Sequence, residues 1–402
     1  MANRGSLGFP QMIVFTYPGQ GSQKPGMGAA WADHPSWELV AEASVAADRD
    51  VEHLLLEADA DELTETRNSQ LATFVTSMIV LDAVTRLGAE AAGHAGHSLG
   101  EYSALTAAGV LDFSDAVRLV TERGDAMQAA ADERHGTMAA VLGLDDDQVQ
   151  IACHRVGGEV WVANHNAPGQ VVIAGLPDDV AKAAVIAREL GAKRTLPLAV
   201  GGAFHTPLMA PARDRLQKAI DKTEFRDPIG SVIANVDAAD HPRSDDWPDL
   251  LKAQLCSPVR WRQTLRCLED CGFTTFVELG PGSTLTGMAK RTLKEAKLIS
   301  VGTPNDLDGL LEALAPQPTV DTTMLEGEHL FATERLIVSP AAGIFCPEPS
   351  CRPGSPIGVG HLIGRVGDNE VRSPFEGELM GVLALEGERL MTSQPIAWLR
   401  IP

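Results

Sequence analysis

The stretch at residues 91–105, reading AAGHAGHSLGEYSAL, constrains the fold more than any other part of the chain. Small residues lead into Gly96-His97-Ser98-Leu99-Gly100, and the continuation has helical character, so the segment reads as short strand, tight turn and helix start. Glycines flank the serine in a G-x-S-x-G pattern because such a turn is strained and crowded, and a Cβ there would clash. The turn projects the Ser98 hydroxyl outward, and N–H groups at the helix start can face a developing oxyanion. An ordinary strand–turn–helix in an Ala/Gly-rich chain writes the same letters, so the pattern alone names no activity.

The surroundings predict an α/β core interrupted by a smaller unit. Residues 12–17 form an apolar run ending in Pro18-Gly19-Gln20-Gly21-Ser22-Gln23, a buried strand entering a glycine-rich turn. Helical periodicity covers 70–87 through Leu71, Phe74, Met78, Leu81 and Val84. Residues 138–144, 160–163 and 170–174 read as strands, and 146–156 and 177–191 as helices. Together they predict an inserted α+β unit between about residues 135 and 203. Residues 231–234 and 274–279 return to strand character and complete the core sheet.

Length and charge narrow the function classes. At 402 residues the chain holds two or three domains. A net charge of −21 repels phosphate backbones and anionic lipid surfaces, which excludes nucleic acid and membrane as partners. The 6 cysteines do not make a disulfide framework in a chain this long. Cys153 and Cys256 read as buried thiols, and Cys267 and Cys271 lie four apart on a helix. Cys346 and Cys351 have only His361 as a further ligand nearby, short of the four that structural zinc takes, so no metal is expected. With no membrane-length apolar run and no signal-like N-terminus, a cytoplasmic protein is expected.

No lysine follows Lys297. Residues 302–335, with Pro304, Pro316 and Pro318, are expected to be a linker carrying a short helix at 307–314. Beyond it lies a repeat. Val338-Ser339-Pro340-Ala341-Ala342-Gly343 is echoed by Arg372-Ser373-Pro374-Phe375-Glu376-Gly377, and the segment from Gly354 by the one from Gly387. Two β-rich halves predict a quasi-two-fold sandwich, because a solenoid needs three or more units.

A nucleophilic serine needs a base within hydrogen-bond reach. His205, in Gly201-Gly202-Ala203-Phe204-His205-Thr206-Pro207, follows an apolar run and precedes a predicted helix. His97 is set aside, since neighbours on a tight turn point apart. A loop histidine is usually just that, and only further context singles out His205.

That context is a resemblance. PGQGSQ at 18–23, QLA at 70–72, GHSLGEYSAL at 96–105 and ERGDAMQ at 122–128 are followed by NHNAPGQVVIAG at 164–175. AFHTPLM at 203–209, SPVRW at 257–261 and ELGPGSTLTGMAKR at 278–291 complete an ordered series. The chain resembles the malonyl-CoA:acyl-carrier-protein transacylases and the acyltransferase domains of polyketide synthases. The resemblance implies an α/β-hydrolase-like core with an inserted ferredoxin-like subdomain, in an acyltransferase domain at 11–301. It implies Ser98 as nucleophile, His205 as base oriented by a backbone carbonyl, and an oxyanion hole from the N–H groups of Gln20 and Leu99. Arg123 would pair with the free carboxylate of a malonyl group, a bidentate task that suits a planar guanidinium better than an amine. Asn166 and Gln70 would line or brace the pocket, and Phe204 would fill the space that an α-methyl branch needs. Gly201-Gly202 departs from the bulkier residues frequent there, a change that would loosen the pocket or its hinge. Malonyl-CoA is then a substrate, no cofactor is bound, and an acyl carrier protein is the partner. Basic faces at Lys290, Lys294 and Lys297, or at Arg213, Arg215 and Lys218, would suit an acidic carrier.

Residues 336–402 are similar to biotinyl/lipoyl carrier domains. The hairpin that carries the modified lysine there reads Val366-Gly367-Asp368-Asn369-Glu370-Val371 here, so no biotin or lipoyl attachment is expected. The resemblance leaves a docking module for a synthase or carboxylase partner, or a passive cap. Two rivals stand beside transfer: an editing hydrolase acting on acyl carrier proteins, and a scaffold working through its C-terminal module.

Overall fold

A computed structural model describes residues 12–314, 334–367, 369–392 and 394–400. The chain divides into two compact units, 1–316 and 317–402.

The first unit contains strands β1 (Ile13–Tyr17), β2 (Gly93–Gly96), β3 (Thr137–Leu142), β4 (Val160–Ala167), β5 (Gln170–Gly175), β6 (Arg194–Pro197), β7 (Ser231–Ile233), β8 (Thr275–Leu279) and β9 (Lys297–Val301). Its larger sheet runs β7-β2-β1-β8-β9 with every pairing parallel. β1 and β8 are mostly apolar and buried almost throughout, as strands covered on both faces must be, with Thr16, Thr275 and Glu278 the buried polar exceptions. β2 is made of Gly, His and Ala, and this economy of volume has a reason. A Cβ on Gly93 would come 2.6 Å from the Phe273 ring, and one on Gly96 would sit 1.8 Å from the Gly100 carbonyl oxygen.

Helix Thr66–Arg86 is more enclosed than its apolar period suggests. Ser69, Gln70, Thr73, Thr76 and Ser77 are buried as well, because the helix packs against helices Gly100–Ala107 and Phe113–Glu133 and against β8. Two of these hydroxyls bond back within the helix: Ser69 Oγ donates to the Thr66 carbonyl at 3.2 Å and Thr76 Oγ1 to the Ala72 carbonyl at 2.8 Å.

The predicted insertion is a second sheet, β4-β5-β3-β6, antiparallel throughout, with helices Asp146–Val156 and Pro177–Glu189 in a βαββαβ order. It is fastened to the core. Arg262 grips Asp146 with both terminal nitrogens at 2.9 and 2.7 Å, and His165 Nδ1 stands 2.6 Å from the same carboxylate. The His165 N–H donates to the Val259 carbonyl at 2.8 Å, and the Val259 N–H to the Ala163 carbonyl at 2.9 Å. β4 is thereby held beside the turn that carries Ser98.

Two expectations are corrected. The expected linker at 302–335 begins too early, because helix Leu307–Leu314 buries Leu307 and Leu310 in the main core, and Trp31 Nε1 donates to the Gly302 carbonyl at 3.0 Å. Residues 315–333 lie outside the described residues. Cys256 is only half-buried, whereas Cys153 is buried; Cys271 caps the helix that Cys267 lies on.

The described residues of the second unit are all-β and antiparallel. Its strands are β10 (Glu334–Val338), β11 (Gly343–Pro347), β12 (Pro356–Ile357), β13 (Leu362–Val366), β14 (Asn369–Arg372), β15 (Gly377–Val382), β16 (Arg389–Leu390) and β17 (Pro395–Arg400). They form two sheets, β10-β17-β15-β12 and β14-β13-β11-β16. The sequence repeat is visible in the geometry. β12 pairs with β15 as β16 pairs with β11, and each sheet takes strands from both halves. The Ser339 hydroxyl donates to the Ala341 carbonyl at 2.6 Å, and Ser373, its counterpart, donates to Phe375 at 2.7 Å. Phe345, Ile363, Leu379, Leu390, Ile396 and Leu399 fill the space between the sheets. Among the described residues of the chain, no helix is long and apolar enough to cross a membrane.

Candidate active site

Ser98 stands at the tip of β2, where helix Gly100–Ala107 begins. Its φ is +54°, a left-handed conformation that a side chain adopts at a cost of about 1–3 kcal/mol, so neighbours must enforce it. The flanking glycines allow the close approach, since a Cβ on Gly100 would meet the Tyr17 carbonyl oxygen at 2.0 Å. Asn235 clamps the turn: its Oδ1 accepts the Ser98 N–H at 2.7 Å and its Nδ2 donates to the Gly96 carbonyl at 2.7 Å. The Ser98 N–H is thus occupied, while Leu99 and Gln20 line the cavity beside the hydroxyl.

His205 also has a positive φ, +60°. Its Nε2 is 2.7 Å from the Ser98 Oγ, and its Nδ1 is 2.9 Å from the Gln254 carbonyl oxygen. A carbonyl only accepts, so the proton sits on Nδ1 and the Nε2 lone pair faces the serine. Burial, and then the Arg123 charge, pushes the imidazole pKa down to about 3. The ring is neutral at ordinary pH, so its Nε2 lone pair is unprotonated where it faces the serine.

Arg123, on helix Phe113–Glu133, is 1% exposed. Its terminal nitrogens donate to Gln70 Oε1 at 2.5 Å, Gln254 Oε1 at 2.8 Å and Ser98 Oγ at 3.1 Å. Among the described residues no carboxylate forms a salt bridge with it, and its Nε has no hydrogen-bond partner. The face of Tyr102 lies 5.5 Å from the guanidinium carbon. A buried guanidinium without a counter-ion is costly, and a bound carboxylate would relieve that cost.

These side chains open into one cavity of about 500 Å³ between the parallel layer and the antiparallel sheet. Ser98, His205, Arg123, Gln20, Leu99, Phe204 and Asn166 all line it. Gln70 does not; it stands behind Arg123 and braces the guanidinium, with its Nε2 3.3 Å from the Met127 sulfur. Gly202 does not loosen the wall. A Cβ there would come within 2.5 Å of the Phe204 ring, whereas Gly201 is exposed with open space around it.

Three residues were missed as site residues. His97, set aside as a base, still lines the cavity; its Nε2 donates to Asn166 Oδ1 at 2.8 Å and its ring meets Trp261 edge-on. Asn235 and Gln254 sit in stretches without a distinctive motif. Gln254 holds His205 through its main chain, a role that leaves no signature in residue type, and its Nε2 donates to the Ser98 carbonyl at 2.8 Å.

Residues 14–326 match the family model described as "Acyl transferase domain". The chain belongs to this acyl transferase family. Among relatives of this acyl transferase, the malonyl CoA-acyl carrier protein transacylase of Bacillus subtilis is 40% identical over 307 residues, covering 75% of this chain and 97% of that protein. The enzyme of the same description from Escherichia coli K12 is 41% identical over 305 residues, covering 75% and 99%. Two solved structures are similar over 75% of this chain and 100% of theirs. An acyl carrier protein S-malonyltransferase from Vibrio cholerae has a TM-score of 0.72 at 39% identity. A malonyl-transacylase in complex with its type II polyketide-synthase acyl carrier protein has a TM-score of 0.73 at 38% identity. The acyl transferase is thus an α/β protein followed by an antiparallel all-β unit.

Proposed function

We propose that this acyltransferase moves a malonyl group from coenzyme A to the phosphopantetheine thiol of an acyl carrier protein, through an ester on Ser98, in fatty acid or polyketide assembly. The observation that carries the reading is Arg123, a buried guanidinium without a carboxylate partner, 3.1 Å from the Ser98 hydroxyl. A neutral acyl chain has no use for it; a dicarboxylic acyl unit does.

Ser98 Oγ attacks the thioester carbonyl carbon while His205 Nε2 takes its proton. The tetrahedral oxyanion is received by the N–H groups of Gln20 and Leu99, each worth about 3–4 kcal/mol by the scale of serine hydrolases. The C–S bond breaks, and the departing thiolate recovers the proton from His205. Arg123 holds the malonyl carboxylate, Gln70 braces the guanidinium, Phe204 limits the α-carbon, and His97 with Asn166 supports the opposite wall. The carrier's thiol then gives its proton to His205 and takes the acyl group by the same steps.

On this reading the βαββαβ unit at about 135–203 is a ferredoxin-like subdomain within an α/β-hydrolase-like domain. Residues 336–402 are a biotinyl/lipoyl-like sandwich without the attachment lysine, acting as a docking module toward a synthase or carboxylase partner. Incubation with malonyl-CoA and a holo acyl carrier protein tests the transfer. Malonyl-carrier formed only while Ser98 is intact supports it. Free malonate released at the same rate with or without carrier would favour the editing hydrolase.

A further inference from the structure

One buried acid has no part in the chemistry above. Glu101 is the second residue of helix Gly100–Ala107, in the turn that follows Ser98, and is 0% exposed. An acid in the first turn of a helix commonly faces solvent beside the positive end of the dipole. This one points inward beneath the turn. Its Oε1 accepts the Asn235 N–H at 2.6 Å, and its Oε2 accepts the Gln254 side-chain amide.

Those two partners hold the reacting pair. Asn235 grips the Ser98 N–H and the Gly96 carbonyl. Gln254 grips the Ser98 carbonyl with its side chain and presents its own carbonyl to His205 Nδ1. Residues 235 and 254 lie on separate stretches of chain, and the Glu101 side chain bonds to both, as the Ser98 backbone does.

We propose that Glu101 is a positioning residue: its carboxylate fixes Asn235 and Gln254 against each other, and through them keeps the Ser98 hydroxyl in line with the His205 lone pair. The role needs an acceptor at both oxygens, since an N–H group meets each. A neutral amide in its place puts one donor against another and leaves either Asn235 or Gln254 unpaired in a dry site, which frees that partner to shift. A displacement of about 1 Å at a reacting pair costs on the order of 100-fold in rate. Arg123 donates to the same Gln254 side chain, at 2.8 Å, and so joins the network through it.

The inference rests on the acyl-enzyme reading, and its test keeps the two apart. Single-turnover acylation by malonyl-CoA is followed in the full chain and in Glu101→Gln, with circular dichroism as the folding control. The wild type must load Ser98; if it does not, the reading of function fails whatever Glu101 does. Given loading, the expected result is a rate at saturating malonyl-CoA about 100-fold lower in the variant, with the half-saturating concentration within about 3-fold of wild type. In ¹⁵N-histidine-labelled protein the Nδ1–H signal of His205 should move or broaden, which a merely structural acid would not cause. A rate within about 3-fold of wild type and an unmoved Nδ1–H signal overturn the proposal. If Glu101→Gln does not fold, Glu101→Asp keeps the charge but cannot reach both partners, and the same outcomes decide.

Discussion

Ser98 and His205, separated by 107 positions in sequence, meet at 2.7 Å with both backbones in the left-handed region, at φ +54° and +60°. Strain on both members of a bonded pair means that the surroundings over-determine the contact. Ser98→Ala and Ser98→Gly both delete the hydroxyl, but only glycine relaxes at positive φ. The Gly variant should be the more stable by about 1 kcal/mol, read from denaturant midpoints, and neither should acylate.

Arg123→Ala should lower malonyl loading by about 1000-fold, because the carboxylate loses a bidentate, desolvated partner. Loading from acetyl-CoA should fall much less, or rise. Parallel single-turnover rates with the two thioesters check this, and an unchanged preference for malonyl would sink the role given to Arg123.

Gly96→Ala should not produce an active enzyme. Its Cβ would lie 1.8 Å from the Gly100 carbonyl oxygen, which is backbone and cannot yield without opening the turn. Gly201→Ala, with nothing within 4 Å, should be near neutral. Expression yield and acylation rate of the pair give the comparison.

Much of this was legible in the letters. G-x-S-x-G announces a strand–turn–helix because only glycine tolerates the approach between Gly96 and Gly100, and short apolar runs at 138–144, 160–163 and 170–174 set out β3, β4 and β5. The helix expected at 146–156 is found at Asp146–Val156, and the structure shows why it ends there: Asp145 caps its start and Gly157 its end. Asn235 and Gln254 were not. Their roles come from chain segments that converge only in three dimensions, and one acts through a carbonyl that every residue possesses. Leu307 and Leu310 were read as part of a linker because nearby prolines outweighed two apolar residues whose burial depends on the core they join.

Two buried groups should bend the stability–pH curve in opposite senses. His205 falls from 6.5 to about 3, chiefly through burial, so its contribution is complete above 6.5 and is lost as pH falls toward 3. Glu101 is pushed up from 4.5 to about 7, again by burial, against the pull of the Asn235 N–H, the Gln254 amide and Arg123. Ionising it therefore costs stability: the folded state is favoured most below 4.5 and loses that advantage as pH rises through 7, which is the cost of holding the positioning carboxylate in a dry site. The difference in Tm between Glu101→Gln and wild type should therefore shift in the variant's favour from pH 5 to pH 8. A difference independent of pH would contradict this assignment.

Every residue assigned to the chemistry lies in the first unit, so a chain ending at Pro316 should acylate at the wild-type rate. A chain ending at Gly302 should be destabilised instead, by loss of the buried Leu307 and Leu310, at about 2–5 kcal/mol for each such side chain. Thermal melts and acylation rates of the two truncations separate the effects.

The central claim is a malonyl ester on Ser98, and intact-protein mass after brief exposure to malonyl-CoA, methylmalonyl-CoA and acetyl-CoA in parallel tests it most directly. The account predicts one malonyl adduct that is absent in Ser98→Ala, persists in water and disappears when a holo carrier protein is added. Folded protein that gains no adduct from malonyl-CoA, or gains one that Ser98→Ala retains, would contradict it.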